Sequence, residues 1–216
     1  AKGVDAFLLP LANPDREVGE VEKWVKAAGE APCGVRLARL SAGGAETLGQ
    51  LKEAGVDFLA FEAEATSAAA LLDEALGYVL ALPEAPSDSL LRAIESLPLD
   101  LLWLPGWQGP LTVRAQLELR RIYLLARTPL MVSVSPEIGA AELRCLRDAG
   151  VVAVAVDGVQ AATWQRLEGL RQAINGLPAR VSRRAERERP EAILPLTREI
   201  TPEVEEEEEE EDFPLP

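Results

Sequence analysis

The stretch that decides the fold is Glu53-Ala54-Gly55-Val56-Asp57-Phe58-Leu59-Ala60-Phe61. A glycine there has the freedom to close a helix in the left-handed conformation, and the apolar run after it has the composition and length of a buried strand. Ala1-Lys2-Gly3-Val4-Asp5-Ala6-Phe7-Leu8-Leu9 and Asp148-Ala149-Gly150-Val151-Val152-Ala153-Val154-Ala155-Val156 repeat the pattern. Short apolar runs at Gly34–Leu40, Tyr78–Leu82, Leu99–Leu104 and Leu130–Ser135 fill the intervals. Each is expected to be a further strand.

Between these runs lie amphipathic stretches of helical length: Asp15–Gly29, Ala45–Ala54, Ser67–Leu76, Ser87–Leu97, Leu111–Arg127, Ile138–Ala149 and Gln160–Ile174. In the first, Val18, Val21, Val25 and Ala28 share one face. Asn13-Pro14, Ser87 and Ser135-Pro136-Glu137 have the chemistry of helix starts. Seven β-then-α units with short connections require a parallel sheet with crossover helices. Strands apolar on both faces favour a closed (β/α)8 TIM-type barrel, with a doubly wound open sheet as the alternative. Only seven units are visible. The eighth strand is expected upstream of Ala1, the sign of a trimmed N-terminal unit, or from Glu191–Leu196 folding back.

The 216 residues divide by composition into a barrel domain at 1–178 and a charged linker with an acidic tail at 179–216. Of the net charge of −14, residues 1–179 carry 16 basic and 23 acidic groups, and residues 180–216 carry 6 and 13. The run Glu205–Asp212 cannot bury apolar area and is expected to be disordered. Phe213-Pro214-Leu215-Pro216 places two apolar anchors beyond it, suited to docking on a protein partner, as an open barrel edge would be. The acidic body argues against nucleic acid as a partner. No apolar window reaches the length of a membrane span and the opening is not a signal peptide, so a cytoplasmic location is expected. Oligomerisation stays open. Eighteen arginines against four lysines, with abundant proline, fit a high-GC, thermophilic source. Cys33 and Cys145 lack metal-ligand spacing and are expected in the core, Cys145 on a buried helix face.

Several chemistries are excluded. The chain has no histidine, which removes Ser-His-Asp and Cys-His catalysis and His-based zinc sites. Lys2, Lys23, Lys26 and Lys52 fall away from strand ends, which argues against a Schiff-base lysine. There is no Walker loop and no G-x-G-x-x-G. Gly43-Gly44 and Gly106-Trp107-Gln108-Gly109 are the glycine-rich strand-to-helix loops, readable as turn formers or as anion cradles.

In a barrel of this type the site forms at the C-terminal ends of the strands. Aligning the three repeats makes Pro10, Glu62 and Asp157 equivalent strand ends. Side chains two apart share a face, so Ala6, Leu8, Phe58, Ala60, Ala153 and Ala155 face inward with those ends. Phe7, Leu9, Leu59, Phe61, Val154 and Val156 face the helices. The same alternation turns Arg36, Trp103, Ser133 and Ser135 inward. Glu62, Glu64 and Asp157 could hold a divalent cation or act as acid and base. Alternatively Glu62 pairs with Arg36 as an internal ion pair, whose disruption would then cost about 3–5 kcal/mol.

With its Ala-Gly-Val-Asp helix exits the chain resembles phosphate-binding and flavin-binding (β/α)8 barrels across residues 1–175. That resemblance implies a glycine-rich phosphate loop after one of the last two strands. Here the last visible strand ends Val156-Asp157-Gly158-Val159-Gln160, with a carboxylate where an anion would sit. No cofactor, catalytic residue or resident metal is named by the residues. Two functions follow. One is a scaffold or binding subunit without catalytic machinery. The other is an enzyme or small-molecule binder using strand-end carboxylates, Arg36 and Trp103, metal-assisted or not. Three or more unpaired polar groups converging on an open mouth would favour the second. One closed Arg–Glu pair over packed apolar residues would favour the first.

Overall fold

The computed structural model describes residues 3–40, 44–106, 110–158 and 161–179. The chain divides into two units, Ala1–Pro178 and Ala179–Pro216, and every described element belongs to the first. The expectations for the acidic run and for Phe213–Pro216 lie outside the described residues.

Seven parallel strands alternate with helical connections: β1 (Phe7–Leu11), β2 (Cys33–Leu37), β3 (Phe58–Glu62), β4 (Gly77–Ala81), β5 (Leu101–Leu104), β6 (Leu130–Ser133) and β7 (Val151–Ala155). Their order in the sheet is their order in sequence, so every crossover leads to the adjacent strand and the sheet curls into a half-barrel. Among the described residues no eighth strand stands between β1 and β7. The base of that interval is spanned by the last helix, α6 (Ala161–Asn175). Arg171 on α6 pairs with Asp5 ahead of β1, and a Cβ on Gly3 would stand 3.4 Å from the Leu167 carbonyl oxygen.

The repeat glycines do what the sequence requires of them. Gly3, Gly55 and Gly150 all have φ between 88° and 111°. Two aspartates at strand entrances have a task of their own. Asp57 Oδ2 accepts the Cys33 backbone N–H at 2.7 Å, and Asp100, just ahead of β5, accepts that of Tyr78 at 2.8 Å. Each pins the base of the preceding strand to the next. Parallel strands joined by long crossovers have no tight turn to set their register, so a side-chain pin supplies that information locally.

The remaining helices are α1 (Pro14–Ala28), α2 (Ala45–Glu53), α3 (Asp88–Ile94), α4 (Val113–Ala126) and α5 (Ala140–Ala149). Ser87 caps α3 by accepting the Leu90 N–H at 3.2 Å, as its position suggests. Helix α1 is closed differently. The Asn13 side chain makes no capping bond, and Glu17 Oε2 instead accepts the N–H groups of Ala12 and Asn13. Helix α5 starts at Ala140, later than Ser135-Pro136-Glu137 suggests, because Gly139 is its N-cap and Glu142 reaches back to the Gly139 N–H.

The expected helix Ser67–Leu76 does not form. Two 3₁₀ turns, Ala63–Ala65 and Ala68–Leu72, replace it. The segment's polar groups find other partners, outside it and within it. The Tyr78 hydroxyl donates to the carbonyls of Ala70 and Asp73, and the Asp73 carboxylate accepts from Lys52 Nζ and from the Ala75 N–H. Such local alternatives compete with helical hydrogen bonding.

The sheet has two apolar faces, and those residues of the expected alternation that join a cluster do so on the expected side. Leu9, Leu59, Phe61, Tyr78, Leu80, Leu102, Val132 and Val154 belong to the large cluster shared with the helices. Ala60, Val79, Ala81 and Trp103 form the concave inner cluster, joined by Leu8, Phe58, Leu101 and Met131. Cys33 is buried in the core, whereas Cys145 is only half-buried, because its helix face lies at the edge of the helix–sheet contact. No described helix is long and apolar enough to cross a membrane.

Candidate functional site

The concave face is where the inward residues meet. Arg36 sits near the C-terminal end of β2 and Glu62 ends β3. Arg36 Nη2 donates to Glu62 Oε1 at 3.2 Å. The guanidinium also lies over the Trp103 ring, 5.0 Å from its centroid, although Trp103 is three strands away on β5. The curl of the sheet and the absence of bulk on the intervening strands make this reach available. Ala60 stands beside Arg36 on β3, and Ala81 beside Trp103 on β4. Trp103 is 7% exposed, and its indole N–H donates to Ser133 Oγ on β6 at 3.2 Å.

The order of events along this chain of contacts is physical. The buried indole is fixed by its hydrogen bond and by the apolar cluster beneath it. A fixed ring face holds a guanidinium by cation–π attraction. Held in that way, Arg36 engages Glu62 through a single contact.

The pair expected between Arg36 and Glu62 is therefore formed, but it is not buried. Their side chains are 41% and 55% exposed. The expectation of a cost of about 3–5 kcal/mol on breaking it is corrected accordingly, since water solvates both groups and such pairs contribute about 0–1 kcal/mol. The pair lies at the open end of the strands, above the apolar layer.

Ser135 and Asp157 go elsewhere. With Val134, Pro136, Glu137, Thr163 and Arg166 they line a cleft of about 300 Å3 between the ends of β6 and β7 and the first turns of α6. Ser135 Oγ accepts the Glu137 N–H at 3.3 Å, and Glu137 pairs with Arg166. Glu64 lies exposed in the 3₁₀ turn after β3, in neither group. Among the described residues no three His, Cys, Asp or Glu side chains gather closely enough to hold a metal ion. Glu62, Glu64 and Asp157 thus do not form the cation site that their strand-end positions suggested, because the chain turns sharply after β3 and Asp157 stands four strands away. Of the glycine-rich loops, 41–43 and 107–109 lie outside the described residues.

Elsewhere the charges are structural. Arg121 on α4 binds Glu118, Asp88 and the Pro86 carbonyl, tying α4 to the start of α3. The Arg121 hydrogen bond holds the Glu118 carboxyl below its ordinary range. The Lys52 hydrogen bond does the same for Asp73. Burial, and then the nearby Asp57 charge, push the Cys33 thiol up.

Sequence reasoning placed Arg36, Trp103 and Ser133 inward but did not join them. Thr163 and Arg166 escaped it altogether, since nothing in a helical pattern says which first-turn residues look back over a strand end. The small residues at Ala60 and Ala81 were the available signal for the Arg36–Trp103 contact.

No family model matches the chain, and no curated protein matches it. Solved structures do. The chain is similar to 3-keto-L-gulonate-6-phosphate decarboxylase from Vibrio cholerae O1 biovar El Tor, with a TM-score of 0.59 at 16% identity over 81% of this chain and 87% of that one. It is similar to the tryptophan synthase complex from Pyrococcus furiosus, with a TM-score of 0.58 at 15% identity over 79% and 85%. N-(5'-phosphoribosyl)anthranilate isomerase from Pyrococcus furiosus gives 0.54 at 14% identity over 81% and 90%. At these identities the likeness establishes the fold, which is that of TIM-barrel enzymes.

Proposed function

We propose that this chain is a small-molecule-binding barrel domain whose ligand presents a carboxylate or phosphate to Arg36 at the mouth of the strands. One observation carries the reading: the Arg36 guanidinium is fixed over the Trp103 ring, half-exposed, and engaged by Glu62 through one contact of 3.2 Å. A solvated, single-contact pair is weak and a bidentate anion is a stronger partner for the same fork. Glu62 would swing aside and remain beside the bound group, placed to accept a hydroxyl proton from it. Ligand binding at strand C-termini is also the habit of the architecture, and the similar structures carry sugar-phosphate compounds in two of the names above.

The experiment is a thermal-shift and calorimetric screen of small carboxylates and sugar phosphates. A true ligand loses at least about tenfold in affinity in Arg36→Ala, equivalent to one charge-assisted hydrogen bond. A screen in which every binder treats Arg36→Ala and the wild type alike would refute the reading.

A second reading is favoured by a different observation. The concave face beneath the pair is filled by Leu8, Phe58, Leu101 and Met131 packed on Trp103, Val79 and two alanines. A filled interior with one Arg–Glu pair above it suits a barrel that serves as a scaffold or binding subunit, with the edges of β1 and β7, unpaired among the described residues, as places for a partner. The same screen separates the two, since a scaffold returns no Arg36-dependent ligand.

A further inference from the structure

Helix α4 is apolar on two faces, and the core takes only one of them. Leu119, Ile122 and Ala126 are buried in the cluster shared with the sheet. Val113, Leu117 and Leu124 are instead 74%, 63% and 56% exposed. At about 3.6 residues per turn these three fall within about 40° of one another on the opposite side, as a stripe about 16 Å long. A second apolar face on a surface helix marks a place that another element covers. The arginines of the helix fix the charge of that element. Arg121 is committed to Glu118 and Asp88, and Arg127 at the C-cap to Glu95. Arg120 borders the stripe on one side and Arg114 on the other, and both are exposed. Arg120 donates to the Asp148 carbonyl, a neutral acceptor that leaves its charge uncancelled.

We propose that the outer face of α4 docks an acidic amphipathic helix of a partner protein. Apolar side chains of that helix lie along Val113, Leu117 and Leu124, and its Asp or Glu residues meet Arg114 and Arg120. A straight ridge of this length is what a second helix of about three turns can follow. A second copy of this chain fits worse. An isologous contact would set Arg114 and Arg120 against the same residues of the other copy, and like charges repel. Three apolar side chains also fall well short of the roughly 20–30 residues that a standard interface takes from each side. Charge favours an acidic partner in another way. The chain carries a net charge of −14, so a negatively charged helix is repelled by the molecule as a whole and finds its attraction where the arginines stand.

The test is a 15N-NMR titration of the whole chain with a synthetic alanine–glutamate helix of about four turns, bearing leucines at i, i+4, i+7 and i+11. A lysine-for-glutamate copy and a serine-for-leucine copy are the controls. The glutamate peptide should shift the amides of Val113, Leu117, Arg120 and Leu124, leaving those of Arg36 and Trp103 in place. Each control should bind at least about tenfold more weakly, and added salt should weaken the glutamate peptide. Leu117→Ser should lower its affinity at least about fivefold, and Arg114→Glu/Arg120→Glu at least about tenfold. The charge-reversed variant should in turn accept the lysine peptide on the same amides, a gain that a misfolded protein does not show. The proposal is overturned if the glutamate peptide moves no α4 amide at about 1 mM. It is overturned equally if the lysine peptide occupies the wild-type face as tightly. Sedimentation that finds a dimer dissociated by Leu117→Ser would make a second copy the occupant and overturn it as well.

Discussion

Removing the Asp57 carboxylate isolates what a strand-base pin contributes. Its Oδ2 accepts the backbone N–H of Cys33, a residue 2% exposed, at 2.7 Å. In Asp57→Ala that N–H loses its acceptor in a place water enters poorly. A bond to a charged acceptor contributes about 1.5–3 kcal/mol and an orphaned buried N–H costs about 1–3 kcal/mol. Because Asp57 itself is exposed, some water reaches the vacated position. We therefore expect the low end, about 1.5 kcal/mol, or about 4 °C in Tm for a body of this size. Asp57→Asn keeps an oxygen acceptor and removes only the charge, so it should cost at most about 0.5 kcal/mol. Urea denaturation at neutral pH measures both.

The same two variants act alike on Cys33. Its thiol is held up first by burial and then by the Asp57 charge, so both variants lower its pKa, and burial keeps it above the ordinary value. In the wild type the folded thiol holds its proton more tightly than the unfolded one. Stability is therefore fully present below the ordinary thiol value of about 8.5 and declines as pH rises from there through the folded pKa. Both variants should flatten that decline. If Asp57→Ala is as stable as the wild type, or if Asp57→Asn is as damaging as Asp57→Ala, the pin is not an acceptor bond and the reasoning fails.

Three further outcomes are expected. Glu62→Gln should change stability by less than about 1 kcal/mol in a urea melt, since the pair with Arg36 is solvated; a loss above about 2 kcal/mol would mean that the mouth is closed over it. Gly34→Ala would set a Cβ 2.1 Å from the Phe58 ring and should cost about 1–3 kcal/mol, most of it recovered in Gly34→Ala/Phe58→Leu; an undamaged single variant would displace the ring from the concave face. Acidification should lower Tm, because Asp73 and Glu118 have carboxyls held below their ordinary range, so their contribution is whole above about pH 4.5 and is lost as pH falls through the folded values. Asp73→Asn with Glu118→Gln should blunt that acid sensitivity in calorimetry.

Much of this architecture is written locally, which is why it was legible. A glycine at positive φ followed by an apolar run announces β1, β3 and β7 without knowledge of the rest, and alternation within each strand separates Leu59 and Phe61 from Phe58 and Ala60. What was not legible depends on distance through space. The helix expected at Ser67–Leu76 has helical periodicity, but Tyr78, Lys52 and Ser67 take its polar groups for other bonds. The burial of the Arg36–Glu62 pair was overstated because strand alternation gives the direction of a side chain and not its depth along the barrel axis. The meeting of Arg36 with Trp103 needs the curl of four strands, and the cleft at Thr163 needs the angle at which α6 leaves β7. Neither quantity has a signature in a window of residues.

The ion pair between Asp5 and Arg171 bears on how this chain could be rewired. Among the described residues each strand pairs only with its neighbours in sequence, so nearly all of this sheet is assembled from contacts of short separation. Asp5 and Arg171 are 166 residues apart and yet touch, and the helix that carries Arg171 ends four residues later, about 6 Å further along its axis. The entry to β1 and the C-terminal half of α6 are thereby in contact, which makes the connectivity close to circular. A linker of a few residues could join them, and the chain could then be opened at another crossover, such as the stretch between β3 and β4, where no long helix would be cut. In such a permutant the most distant contact of the present order becomes one of the shortest, and loop closure there ceases to be the last entropic hurdle to assembly.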